Sequence, residues 1–253
     1  MLQRIYIIFR PALFVVLIWT LSLIFITAPA ISQVPDLRKT DYQAIFGEDY
    51  EFAVNFIECH QWMSDSLEKK GLEPGFILSI VFPELVRYSS IINYIQVKGL
   101  EVLYVQYGTD YADFSVGYFQ LKPSFAEQIE SDLLKYDLLE KFPSLSTLQP
   151  DLSNAVETRE SRMLRITDEH YQLLYLEAFI RIMDFLYPKL NDKSSAEKVL
   201  FYSTAYNTGY FKNEDDIIRE IHRERFYRGL FPDSEKYSYS DISLDYYLSI
   251  EVR

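Results

Sequence analysis

The 253-residue chain is poor in the residue types that build metal centres and disulfides. It holds one cysteine, three histidines and no second thiol. A lone Cys59 excludes an intramolecular disulfide. With only His60, His170 and His222 available, the pair Cys59-His60 lacks the further donors a zinc site needs. Cys59 is therefore expected to pack in the core on a helix. Positive charge is also scarce. Lys and Arg total 25 against 37 Asp and Glu, for a net charge of −12. That balance excludes a nucleic-acid binder, which needs cations to displace the counterions on phosphate. No internal repeat or low-complexity tract interrupts the chain. No metal and no organic cofactor is implied.

Charge is missing altogether from one stretch. Arg4 and Arg10 are the only charges before Asp36, and between them and Asp36 runs the apolar segment Leu13 to Ile26, followed by Thr27-Ala28-Pro29-Ala30-Ile31-Ser32. A basic start, an apolar middle and small residues at the end have the organisation of a secretory signal, here residues 1–32. The apolar stretch approaches the roughly 18–20 residues that span a bilayer, so residues 11–30 also suit an uncleaved membrane anchor. No cysteine follows the segment, which excludes a lipoprotein anchor. Both readings export the rest of the chain, to the periplasm or cell envelope.

What is abundant is aromatic: 21 Tyr and 18 Phe. Such rings pack cores with their hydroxyls at the rim, and they also form the faces on which sugars stack. Residues 33–70 read as a linker with Pro35 and then a helical segment from Asp49 to Lys70, in which Phe52, Val54, Phe56, Ile57, Trp62, Met63 and Leu67 recur at helical spacing. Gly71 ends it. Pro74 opens a second helix at a position where its missing N–H costs nothing. Phe76, Ile77, Ile80, Val81, Leu85 and Val86 leave that helix almost no polar face, and Pro83 within it strands the carbonyl of Ser79. Short strands are expected at 95–97, 102–105 and 114–116, with turns at Gly99 and at Gly108-Thr109-Asp110. Ala155 to Tyr187 reads as one long amphipathic segment stopped by Pro188, and Ser194 or Ser195 caps the next helix. The fold class is α+β, mainly α, with a small antiparallel β region.

Three separated pieces carry the chemistry. Glu84 ends the apolar run Pro74–Glu84. Gly117-Tyr118-Phe119-Gln120-Leu121-Lys122-Pro123-Ser124 is a glycine–aromatic–glutamine turn running into Pro-Ser. Ala205-Tyr206-Asn207-Thr208-Gly209 lies near the end of a helix. A glutamate among apolar and aromatic residues has its charged form penalised, so it keeps a proton that a departing glycosidic oxygen can take. In their order and spacing the three pieces resemble the catalytic domain of lytic transglycosylases, the lysozyme-like family that cleaves peptidoglycan glycan strands. The resemblance covers roughly residues 70–250 and sets a domain at 71–253.

The resemblance implies a lysozyme-like fold, peptidoglycan as partner and Glu84 as the general acid/base. It makes Gly117, Tyr118, Phe119, Gln120, Tyr206 and Asn207 the groove residues, with a further tyrosine opposite the glutamate from Tyr246 or Tyr247. The reaction it implies is non-hydrolytic. The C6 hydroxyl of the muramoyl residue closes a 1,6-anhydro ring, and no second carboxylate is needed to hold a water. Two positions depart from the family pattern: Leu85 stands where it has serine, and Pro83 precedes the glutamate. Arg87 is expected to point away from Glu84. Two alternatives remain open. A hydrolytic muramidase would use Asp110 or Asp113, otherwise solvated turn residues, as a second acid. A catalytically silent glycan-binding envelope protein would explain Leu85.

Overall fold

In the computed structural model the described residues are 40–88, 94–149, 154–227 and 235–251, all within one compact unit, Thr40–Arg253. The apolar segment expected to direct export lies outside them. Among the described residues, no helix is long and apolar enough to cross a membrane.

The helix of Pro74–Tyr88, α4, is the axis of the unit. Every residue from Phe76 to Val86 is buried. A helix apolar on all sides must be surrounded, and this one is. The preceding helices α1 (Tyr42–Phe46), α2 (Glu48–Cys59) and α3 (Gln61–Lys69) lead into it, and α2 and α3 pack directly on it. The late helices α10 (Ser195–Thr208) and α12 (Tyr239–Glu251) cover its other sides and each other. The segment before residue 70 thus helps to bury α4. Full burial of each Ile, Leu, Val or Phe contributes about 1.5–3 kcal/mol, so the axis is also where the apolar stabilisation concentrates.

A second layer holds α5 (Tyr94–Tyr107), α6 (Pro123–Lys135), α7 (Leu138–Lys141), α8 (Ala155–Thr167) and α9 (Glu169–Leu186). Short 3-10 turns follow α7 at Pro143–Leu148 and α9 at Pro188–Asp192. Between the helices of this layer lies a buried polar cluster. Glu130 on α6 accepts from Arg162 Nη2 at 2.6 Å, from Arg162 Nε at 3.0 Å, from Arg165 Nη2 at 3.2 Å and from the Tyr175 hydroxyl at 2.6 Å. Arg162 also donates to Tyr104 Oη at 2.6 Å and to Glu127 at 3.0 Å.

Several local expectations hold. Gly71 ends α3 with φ +70°, and the Leu72 N–H returns to the Leu67 carbonyl. Ser194 and Glu197 form a reciprocal capping box on α10. Others are corrected. The expected Asp49–Lys70 helix breaks at His60, where φ is −104° and ψ is 49°. The expected single helix over 155–187 breaks at Asp168, whose carboxylate accepts from the His170 and Tyr171 N–H groups and starts α9 anew. Cys59 is exposed, not packed in the core.

The largest correction concerns the strands. Residues 95–97 and 102–105 lie in α5, not in a sheet. Valine-rich sequence suggested strands, but tertiary contacts override that preference. Tyr104 is buried from α5 and reaches Glu127 and Arg162. Arg159 donates to the Val105 and Gln106 carbonyls at the helix end, where Gly108 at φ +87° closes it. Of 114–116, only Val116 pairs, in a single antiparallel bridge to Leu121. The β region is instead a two-stranded antiparallel sheet late in the chain, β1 (Glu224–Tyr227) with β2 (Lys236–Ser238). Between α10 and this sheet lies α11 (Glu214–Glu220). The fold is thus mainly α with a small antiparallel β part, as expected, although the strands come from other residues.

Candidate functional site

A cleft of about 610 Å³ opens where α4, the 117–122 turn, α6 and the C-terminal end of α10 meet. Glu84, Gln120, Tyr206 and Asn207 all line it, so the three sequence motifs converge in space. The lining also includes Arg87, Asp113, Lys122, Phe125 and Phe211.

Glu84 is only 4% exposed. Burial raises its pKa above the ordinary carboxylate value. The charges of Arg87 and Lys122 oppose that shift without cancelling it. The Arg87 Nη2 donates to Glu84 Oε2 at 2.7 Å, which corrects the expectation that Arg87 points elsewhere. Residues three apart on a helix share a face, and a guanidinium is long enough to fold back along it. Leu85 is fully buried in the core of α4's surroundings.

The turn is held from beneath. Val116 and Leu121 exchange both backbone hydrogen bonds, at 2.9 and 3.0 Å, and so clamp residues 117–120 between them. Gln172 on α9 accepts from the Phe119 N–H at 3.0 Å and donates to the Ile166 carbonyl at 2.8 Å. Its amide fills the space a side chain at 117 would need: a Cβ there would lie 1.6 Å from Gln172 Nε2, and φ is +71°. Gly117 is thus required by the packing of Gln172, and it is not among the residues that line the cleft. Gly117→Ala is expected to cost roughly 2–3 kcal/mol, or about 5–10 °C in Tm. A thermal melt unchanged within a degree would refute this account of the turn.

Gln120 holds φ at +51° and donates from Nε2 to the Gly117 carbonyl at 2.7 Å. Its side chain therefore reinforces the turn while lining the cleft. Phe119 is buried, and its carbonyl accepts from the Tyr206 hydroxyl at 2.7 Å. That bond ties the turn to α10. Tyr118 leaves the cleft and packs against Phe56 and Tyr88, with ring centroids 4.3 and 4.5 Å away.

Neither Tyr246 nor Tyr247 reaches the cleft. Tyr246 stacks on Phe82 at 3.9 Å, and Tyr247 donates to Glu73 at 3.4 Å. Besides Tyr206, the tyrosine near the glutamate is Tyr239, at the start of α12. Its hydroxyl donates at 3.1 Å to the Ile80 carbonyl, next to the Ser79 carbonyl that Pro83 leaves without its usual donor. Burial first, and then the charge of Glu84, hold both Tyr206 and Tyr239 well above the usual phenol range. Both rings stay neutral beside the carboxyl group.

Two further residues were missed by sequence. Phe211, at the mouth of the cleft, is 71% exposed. Its ring lies against Gly209, where an added Cβ would come within 2.6 Å of it. Lys122 lies 3.9 Å from Asp113 and adds a second cation to the wall. Asp113 itself accepts from the Ser124 N–H at 3.0 Å and from its hydroxyl at 2.9 Å, across the first turn of α6. Asp110 is exposed and outside the cleft wall.

The arrangement can hold one buried proton donor against a polar groove with amide, hydroxyl and aromatic surfaces. No protein-family model, characterised protein or solved structure matches this chain.

Proposed function

We propose that the chain is a peptidoglycan lytic transglycosylase, with Glu84 as its single acid/base. The observation that carries this reading is the buried Glu84 carboxyl, biased by burial toward its protonated form, in the wall of the cleft where the Gly117–Gln120 turn and Tyr206-Asn207 converge.

In the proposed reaction Glu84 gives its proton to the departing glycosidic oxygen as the bond to the muramoyl C1 breaks. The C6 hydroxyl of the same residue then closes on C1, and its proton returns to Glu84. The nucleophile is already attached to the substrate, which gives it a high effective concentration. Asp113 enters the wall, but both its oxygens are engaged by Ser124. It is thereby used to fix α6 against the turn, which favours the ring-closing route over one that needs a second carboxylate to hold a water. An apolar segment at residues 11–30 fits an enzyme exported or held at the envelope, where its polymer lies.

The test is digestion of purified peptidoglycan by the chain, with the products weighed by mass spectrometry. Muropeptides one water lighter than hydrolytic products are expected. Reducing ends at full hydrolytic mass would replace this reading with a muramidase. Glycan binding without release would replace it with a silent binding protein.

Phe211 supplies the exposed ring face on which a sugar can stack. Phe211→Ala is expected to raise KM about 3–10-fold with kcat little changed, which corresponds to about 0.5–1.5 kcal/mol of stacking. Unchanged steady-state kinetics would remove Phe211 from the binding surface.

A further inference from the structure

The Glu84 carboxyl has two oxygens, and only one of them is held by a side chain of its own helix. Arg87 Nη2 lies 2.7 Å from Oε2. The neighbouring residue Leu85 is apolar and fully buried, so it offers no group to orient the acid. Tyr206 and Tyr239 flank Glu84, but their hydroxyl protons go to the Phe119 and Ile80 carbonyls. The Arg87 guanidinium is itself braced, with its carbon 5.4 Å from the centroid of the Phe226 ring on β1.

Resting on the reaction proposed above, we propose that Arg87 is a positioning residue: it pins Oε2 of Glu84 so that Oε1 meets the glycosidic oxygen. Arg87 also carries the strongest nearby positive charge. The groups that face Glu84 are Arg87 on α4, Lys122 on the turn, Tyr206 on α10 and Tyr239 on α12. Across the cleft, Asp113 is set against Lys122. Of these, Arg87 is the cation in direct hydrogen-bond contact, and its charge draws the Glu84 pKa down from where burial alone would set it.

The sign follows. The form of Glu84 that starts the reaction is the protonated one, so activity is lost as pH rises through its pKa. Without Arg87 that loss moves to higher pH, and the carboxyl loses its fixed orientation. The experiment uses the full-length chain as wild type, Arg87→Gln and Arg87→Lys. Two readouts are taken: kcat/KM against pH, and the titration of the Glu84 carboxyl by carbon-13 NMR, its signal assigned by its disappearance in Glu84→Gln.

Arg87→Gln is expected to move the NMR midpoint and the high-pH limb upward together, and to lower the low-pH plateau about 10- to 100-fold. Arg87→Lys keeps a cation and is expected to hold the limb near that of wild type while the plateau stays reduced. Thermal melts check that each variant is folded. A Glu84 midpoint unmoved in Arg87→Gln would overturn the proposal, as would a plateau equal to that of wild type. A wild type with no turnover, but with a midpoint that moves in Arg87→Gln, would sink the functional reading and the proposal with it. That outcome is distinct from the other two, since the pairing itself would stand.

Discussion

Glu84→Gln is expected to lower the rate of the proposed ring-closing reaction, read as release of anhydro-muropeptides, about 10³-fold, the scale on which a positioned proton donor acts. Glutamine matches glutamate in shape and still offers Arg87 an oxygen, so the cleft should persist and Tm should stay within a few degrees. What is lost is the acidic proton. The pH dependence of the wild type carries the same signature. Burial raises the Glu84 pKa, and Arg87 and Lys122 only partly reverse this. The proton is then retained above the ordinary carboxylate range, and for the proposed reaction kcat/KM is expected to fall as pH rises through the raised value. Stability runs in the same direction. The folded chain binds this proton more tightly than the unfolded chain, so the contribution of Glu84 is present below the ordinary carboxylate value and is lost as pH rises through the folded one. An unaltered rate in Glu84→Gln would take the glutamate out of the chemistry.

Glu130→Ala is expected to be the most damaging substitution for stability, at about 3–5 kcal/mol. Glu130 is 1% exposed, and both of its oxygens serve arginines. Without it Arg162, at 5% exposure, would keep only the more exposed Glu127 as a charge partner, and Arg165 would lose its carboxylate. The loss comes from the charges left behind, not from the net worth of the pair, which desolvation reduces. For a unit of this size the expected fall in Tm is roughly 10 °C or more. Glu130→Gln, which keeps the volume and one acceptor, should cost less. A melt within a degree or two of wild type for Glu130→Ala would show that water reaches the arginines.

Legibility differed from one residue to the next for physical reasons. Glu84, Gln120, Tyr206 and Asn207 could be found because each belongs to a short motif whose local geometry carries it into the cleft. Tyr239 was missed in favour of Tyr246 and Tyr247. Tyr239 and Tyr246 are seven residues apart, two turns of one helix, so they share a face but are displaced by about 10 Å along it. Sequence spacing identifies the face but does not say which turn abuts Ile80. The Arg87–Glu84 contact differs from the expectation because a three-residue spacing places both side chains on one face of the helix. The strand readings at 95–105 failed because the outcome was decided by partners far away in sequence. Tyr104 is drawn into a helix by Glu127 and Arg162, which no local pattern in that stretch reveals.

The groups that shape the 117–120 turn lie far along the chain. Gln172 is 53 residues beyond Phe119, and Tyr206 is 87 beyond it. Tyr239 meets the carbonyl of Ile80 across 159 residues. Each such closure costs entropy before its contact repays it, so pairings of this kind come late in folding. The helices can form while the cleft is still unmade. A nascent or truncated chain that stops short of residue 239 would have the glutamate but not its complete surroundings, so the cleft is finished only once α12 has docked.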